Sequence, residues 1–202
     1  MRIFAVMLDG PVALIEQAII DRIAKKTSVF PTSIDHSLPE WYEKFHITEE
    51  RYEELLYGEE CLGDPAFWRE IKPNTKMISA MNDWSMSGLV PSILTERKRE
   101  DRLETELWMA QNHVPYSNLL LDVLGNKVSL LHHIDATFVV EQRLSDAVEI
   151  AKAGWNVYLL KTPYSRPEEK ELVRLEKAYR VPQGKIKYVE QPEEIAASEF
   201  IR

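Results

Sequence analysis

Five short apolar runs, rich in branched and aromatic residues and separated by helical patterns, constrain this chain more than any other feature. Residues 3–8, 89–94, 119–123, 136–140 and 155–160 lack the polar alternation of a strand with one wet face. They predict strands buried on both faces. Between them, Met77, Ile78, Met81 and Trp84 recur at helical spacing over 74–86, as do Leu103, Leu107 and Ala110 over 99–112 and Ala147, Val148 and Ala151 over 144–153. Each set predicts a helix with one stripe turned to a sheet. The alternation of strand and helix calls for an α/β fold, a parallel sheet of about five strands with right-handed crossovers.

One gap breaks the rhythm. About 80 residues separate the first run from the second, where a crossover needs only ~12. The gap holds helical patterns at 12–24, 48–57 and 65–71 and no convincing strand. We read it as a small helical cap at residues 13–73, inserted into an α/β core made of 1–12 and 74–202. Gly154 stands where a helix ending at Ala153 favours glycine. Ser165-Arg166-Pro167-Glu168 has the spacing of a capping box and predicts the start of a last helix.

Composition narrows the partners. The formal charge is −8, and the basic pair Lys98-Arg99 is flanked by Glu96, Glu100 and Asp101, which disfavours a nucleic acid polymer. A single cysteine, Cys61, excludes an internal disulfide and a cysteine-based zinc cluster. No run approaches the ~18 apolar residues of a membrane span, and the opening ten residues make a poor secretory signal. The expectation is a soluble, cytoplasmic protein whose partner is a small molecule or another protein.

In an open α/β sheet, ligands bind beyond the carboxyl ends of the strands. The polar residues expected there are Asp9-Gly10, Thr95-Glu96-Arg97, Lys127 in the turn after the third strand, Glu141-Gln142-Arg143, and Lys161-Thr162-Pro163-Tyr164-Ser165. An acid, a hydroxyl, a lysine and a second acid on one rim make a phosphate site with room for a cation. Each has a plainer use: Asp9-Gly10 as a turn, Thr95 as a helix cap, Lys127 as a solvated lysine, Glu141 in a salt bridge to Arg143 or Arg97. The charge run 96–102 reads as a solvated face. His132-His133, taken as strand residues, point to opposite sides and argue against a metal site. The aromatics Trp41, Tyr42, Phe45, Tyr52, Tyr57, Phe67 and Trp68 crowd the insertion, where they hold a small lobe together or line a pocket.

The ordered set resembles the haloacid-dehalogenase (HAD) superfamily, and within it the small 5′-nucleotidases and deoxyribonucleotidases. Leu8-Asp9-Gly10 is similar to the end of the first motif, Asp-x-Asp-Gly. Pro91-Ser92-Ile93-Leu94-Thr95-Glu96-Arg97 resembles the second motif, and Thr105-Glu106-Leu107-Trp108 with His113-Val114-Pro115-Tyr116 the helix that leads into the third strand. Asn126-Lys127 stands at the third motif, Asp135 to Arg143 at the fourth, and Pro163-Tyr164-Ser165 at the family's Pro-Tyr-Asn. The resemblance implies a HAD-like Rossmannoid core with a cap. It implies Asp9 as general acid–base, and Gly10, Thr95 and Lys127 as phosphate contacts. It implies a magnesium site at the fourth motif and a nucleobase-stacking role for the cap aromatics.

Two departures alter what it implies. The nucleophilic aspartate's position is occupied by Met7, whose thioether is a weak, uncharged acceptor and no nucleophile for phosphorus. The fourth motif keeps Glu141 but has the neutral Gln142 beside it, so a Mg²⁺ site, which wants hard charged oxygens, is impaired. The reading is a degenerate nucleotidase-like protein, poor or inactive as a phosphatase, that binds a small phosphorylated ligand or a protein partner. The rival is a working phosphatase in which Asp9 or Glu141 activates water directly.

Overall fold

In the computed structural model, the described residues are 2–31, 41–58, 61–161, 174, 177–178, 180–182 and 185–195. They include a six-stranded sheet in the order β3-β2-β1-β4-β5-β6, every pairing parallel. The strands are β1 (Arg2–Met7), β2 (Leu89–Leu94), β3 (Asn118–Leu120), β4 (Ala136–Glu141), β5 (Asn156–Leu160) and β6 (Ile186–Val189). The sixth strand adds an edge to the expected sheet of about five. Ile186-Lys187-Tyr188-Val189 is short and half polar, as suits an edge strand with one neighbour.

Alternate side chains of the strands feed two separate cores, which is why the runs read as continuously apolar. Phe4 and Val6 of β1 and Leu8 just beyond it, with Ile93, Phe138, Val140, Tyr158 and Leu160, face helix α4 (Thr75–Met86) and helix α5 (Arg102–Gln111). Ala5 and Met7, with Leu94, Val139, Val157 and Leu159, face helix α6 (Lys127–His133) and helix α7 (Leu144–Lys152). The apolar stripes expected on α4 and α7 are buried as read. Gly154 follows α7 at φ +109°, a left-handed position that glycine tolerates best.

Between β1 and β2 lie α1 (Ile15–Thr27), α2 (Glu49–Tyr57) and α3 (Pro65–Glu70). α2 and α3 begin where a side chain caps them: Thr48 Oγ1 accepts from Arg51 N, and Asp64 Oδ1 from Ala66 N. Ile20, Ile23, Ala24, Phe45 and Leu55 form a small core of their own, while Cys61, Phe67, Trp68 and Ile71 join the sheet's. The passages into and out of these helices run side by side. Leu14 N donates to Lys72 O at 2.9 Å and Asn74 N to Val12 O at 2.8 Å.

Three local readings are corrected. On α5, Leu103 and Leu107 are 64% and 45% exposed, and the buried face is Thr105, Trp108 and Met109. The indole of Trp108 reaches Ile71 O at 2.8 Å, and burying that large ring turns the two leucines outward. Lys127 opens helix α6 instead of sitting in a turn, and His132 and His133 lie on that helix, not on a strand. Seven residues with little periodicity leave too short a signal to read. The expected cap-box helix at Ser165 and the Pro163-Tyr164-Ser165 end of β5 lie outside the described residues, as does the Trp41 side chain. No helix among the described residues is long and apolar enough to cross a membrane.

Candidate functional site at the strand ends

β1, β2 and β4 deliver Asp9, Thr95 and Glu141 to one rim, as parallel neighbours in register must: Met7 pairs with Leu94, and Val6 with Val140. Around that rim the side chains gather into two clusters.

The first is built on Asp9. Thr95 Oγ1 donates to Asp9 Oδ2 at 2.6 Å, and Arg97 grips the same carboxylate from Nη2 at 2.7 Å and Nε at 3.0 Å. Such a forked, charge-assisted pair is among the strongest hydrogen-bonded arrangements a protein makes. The Arg97 side chain is 1% exposed and lies over the Trp68 ring, 4.4 Å from its centre. Arg97 therefore leaves the solvated charge run in which the sequence placed it. Thr95 is fully buried, and its oxygen also accepts from Arg97 N at 3.2 Å, closing a tight turn instead of capping a helix.

The second is built on Lys127, also buried. Its ammonium meets Asp146 at 2.5 Å and Glu96 at 2.8 Å, and Arg143 pairs with Glu96 at 2.9 Å. Burial alone would lower the Lys127 pKa; Glu141, Asp146 and Glu96 outweigh it and hold it above its usual value. Burial also works against ionisation of Glu96, but Lys127 and Arg143 keep its carboxyl below the usual range. Glu141 takes the opposite course. Burial, reinforced by the Asp146 charge, pushes it up to about 8 against the pull of Lys127. Its Oε2 meets no donor among the described residues. Neither Arg143 nor Arg97 forms the side-chain salt bridge to Glu141 that the sequence allowed: they are engaged by Glu96 and Asp9.

Gln142 ties the sheet to the helical insertion. Its amide nitrogen reaches Asp9 O at 3.4 Å and donates to Glu16 in the first turn of α1. Burial raises the Glu16 pKa. The Gln142 amide lies so close over Gly10 that a Cβ there would fall inside it, and Gly10 itself is at φ +104°. Met7, 5% exposed, belongs to the apolar cluster that includes Leu94, Val123 and Leu131.

The structure thus brings Asp9, Gly10, Thr95 and Gln142 together. It gives Lys127 to acids of its own, with no ion pair to Asp9. Glu96 and Arg97, expected at the end of the second strand, take their partners here, while two further participants, Glu16 at the start of α1 and Asp146 on α7 one turn beyond Glu141-Gln142, carry no such signal at a strand end. An acid one helical turn past a strand-end acid was the available signal for Asp146. Among the described residues no three His, Cys, Asp or Glu side chains stand together so as to hold a metal ion.

No family model matches the chain. A Clostridium acetobutylicum protein named a nucleotidase is 24% identical over 133 residues, which span 65% of this chain and 63% of that protein. Among solved structures, a Thermotoga maritima protein described as a β-phosphoglucomutase superposes with a TM-score of 0.63 at 16% identity, covering 99% of each chain. A HAD-family hydrolase from Deinococcus radiodurans, solved with bound phosphate and sodium, gives 0.59 at 11% identity over 98% of this chain and 94% of that one. The fold of this chain is the HAD-like fold.

Proposed function

We propose that this chain is a nucleotidase-like protein that binds a small phosphorylated molecule at the strand ends without hydrolysing it. The observation that carries this reading is Met7. A thioether packed into an apolar cluster stands where the resemblance puts the nucleophile, and it offers neither charge nor a lone pair basic enough to attack phosphorus.

The other groups support it. Asp9, the general acid–base by resemblance, is held by Arg97 and Thr95, so its two oxygens are spent on fixed donors. The residues at the fourth motif do not fit a magnesium ion. Gln142 is neutral, Glu141 is pushed toward its protonated form, and Asp146 is occupied by Lys127. No step is assigned to a metal. Thr95, Gly10 and Lys127 remain the phosphate contacts of this proposal, Lys127 exchanging a carboxylate for the incoming phosphate. The nucleotidase name of the Clostridium relative makes a nucleoside monophosphate the first ligand to try.

The rival reading, direct attack by water activated by Asp9 or Glu141, is separated by assay. Phosphate release from nucleoside monophosphates with magnesium is measured for the native chain, Asp9→Asn and Met7→Asp, alongside calorimetric binding of the same compounds. The expectation is binding in the micromolar to millimolar range, weakened by Lys127→Met, with no release above Asp9→Asn. Release by the native chain above that control would sink the proposal. Absence of both binding and release would replace the small ligand with a protein partner.

A further inference from the structure

We propose that Arg97 latches the helical lobe onto the sheet and that Asp9 is the anchor of that latch, so the strand-end carboxylate and the lobe are energetically coupled through one guanidinium. This does not depend on what the cleft binds.

The guanidinium is shared among three parts of the fold. Its Nε and Nη2 hold Asp9 beyond the end of β1, its Nη1 lies 3.4 Å from Thr105 Oγ1 on α5, and its flat face covers Trp68 on α3 of the lobe. A buried arginine is tolerated when its charge is paired and its donors are used. Here the sheet supplies the charge partner, and the lobe supplies the aromatic face that closes the site to water. Thr95 holds the second Asp9 oxygen, which fixes the anchor's orientation. If Asp9 lost its charge, the guanidinium would lose the partner that makes its burial against Trp68 acceptable.

The guanidinium is one of several links between the lobe and the sheet. The chain enters it at 12–14 and leaves it at 72–74, and these passages pair with each other. Beyond them, Gln142 donates to Glu16, Phe67, Trp68 and Ile71 pack into the sheet's core, and Arg69 to Glu104 at 3.2 Å is an exposed pair of little strength. The indole N–H of Trp108 bonds Ile71 O at the lobe's exit. That indole is a natural reporter, because it is freed only when α5 and the lobe part. The indole of Trp155, bonded to Ala136 O at 2.8 Å within the sheet and its helices, is the internal control.

The experiment is hydrogen exchange of the two indole protons by NMR, on the native chain and on Asp9→Asn, Trp68→Leu and the double variant. Each single change should accelerate exchange at Trp108 about 30-fold, the scale of a lost desolvated cation–π contact, with Trp155 unmoved. The double variant should exchange no faster than the faster single, because both changes break the same link. Should Asp9→Asn fail to fold, Arg97→Lys, which keeps the charge but loses the fork, replaces it in the cycle. Effects that multiply, an unchanged Trp108 rate, or equal acceleration at Trp155 would each overturn the latch.

Discussion

Glu141 shows how a single residue's chemistry is set by its surroundings and not by its type. The sequence identified it as the surviving acid of the site. It could not say that burial raises the carboxyl to about 8, because that shift depends on helices brought in from elsewhere. The sign of the consequence follows. A carboxyl whose folded pKa lies above its ordinary 4.5 binds its proton more tightly in the folded chain. The stability it contributes is complete below about 4.5 and is lost as pH rises through about 8. Melting temperatures across pH 5 to 9 should therefore fall more steeply for the native chain than for Glu141→Gln, which keeps the shape and never ionises. Parallel slopes would contradict the protonated form. The same limit applies to Lys127 and Arg97. Their charge was legible, but not that each is consumed by carboxylates of its own chain.

At the scale of elements, α5 separates what periodicity can tell from what packing decides. The helix was visible, but its buried face was not, because Leu103-Leu107 and Trp108-Met109 offer two rival stripes. The indole hydrogen bond to Ile71 O and the Thr105 contact to Arg97 select the second. Replacing Leu103 and Leu107 together by glutamate should thus change stability by only about 0.5 kcal/mol. Trp108→Ala should cost about 3–5 kcal/mol. Denaturant midpoints distinguish the two, and a large loss from the leucine pair would restore the stripe read from sequence. α6 escaped for a different reason: seven residues are two turns, and Val128, Leu130 and Leu131 suit a strand or a helix equally.

For the whole molecule, the order of the strands decides where rigidity lies. β1 and β4 are central, paired on both sides and covered on both faces, whereas α1 and α2 share a small cluster of their own and meet the sheet's core at their edges, through Leu56 and the half-buried Ile15, Ala18 and Ile19. Amide exchange should accordingly be slowest in β1 and β4 and faster by orders of magnitude in α1 and α2, since local opening follows buried contact. Equal protection would mean that the lobe and the sheet unfold as one unit. The apolar runs, their spacing and the long first gap sufficed to determine a parallel α/β sheet with a helical insertion, because period and run length are local properties of a chain. The polar order Asp9, Thr95, Lys127, Glu141 likewise pointed to polar side chains gathered near one rim, because parallel strands must all end on the same side. Only the tertiary structure decided which charge meets which. Asp9 and Arg97 are 88 residues apart, Lys127 and Asp146 are 19 apart, and Gln142 and Glu16 are 126 apart. An ion pair depends on distances across the fold, which no local pattern encodes.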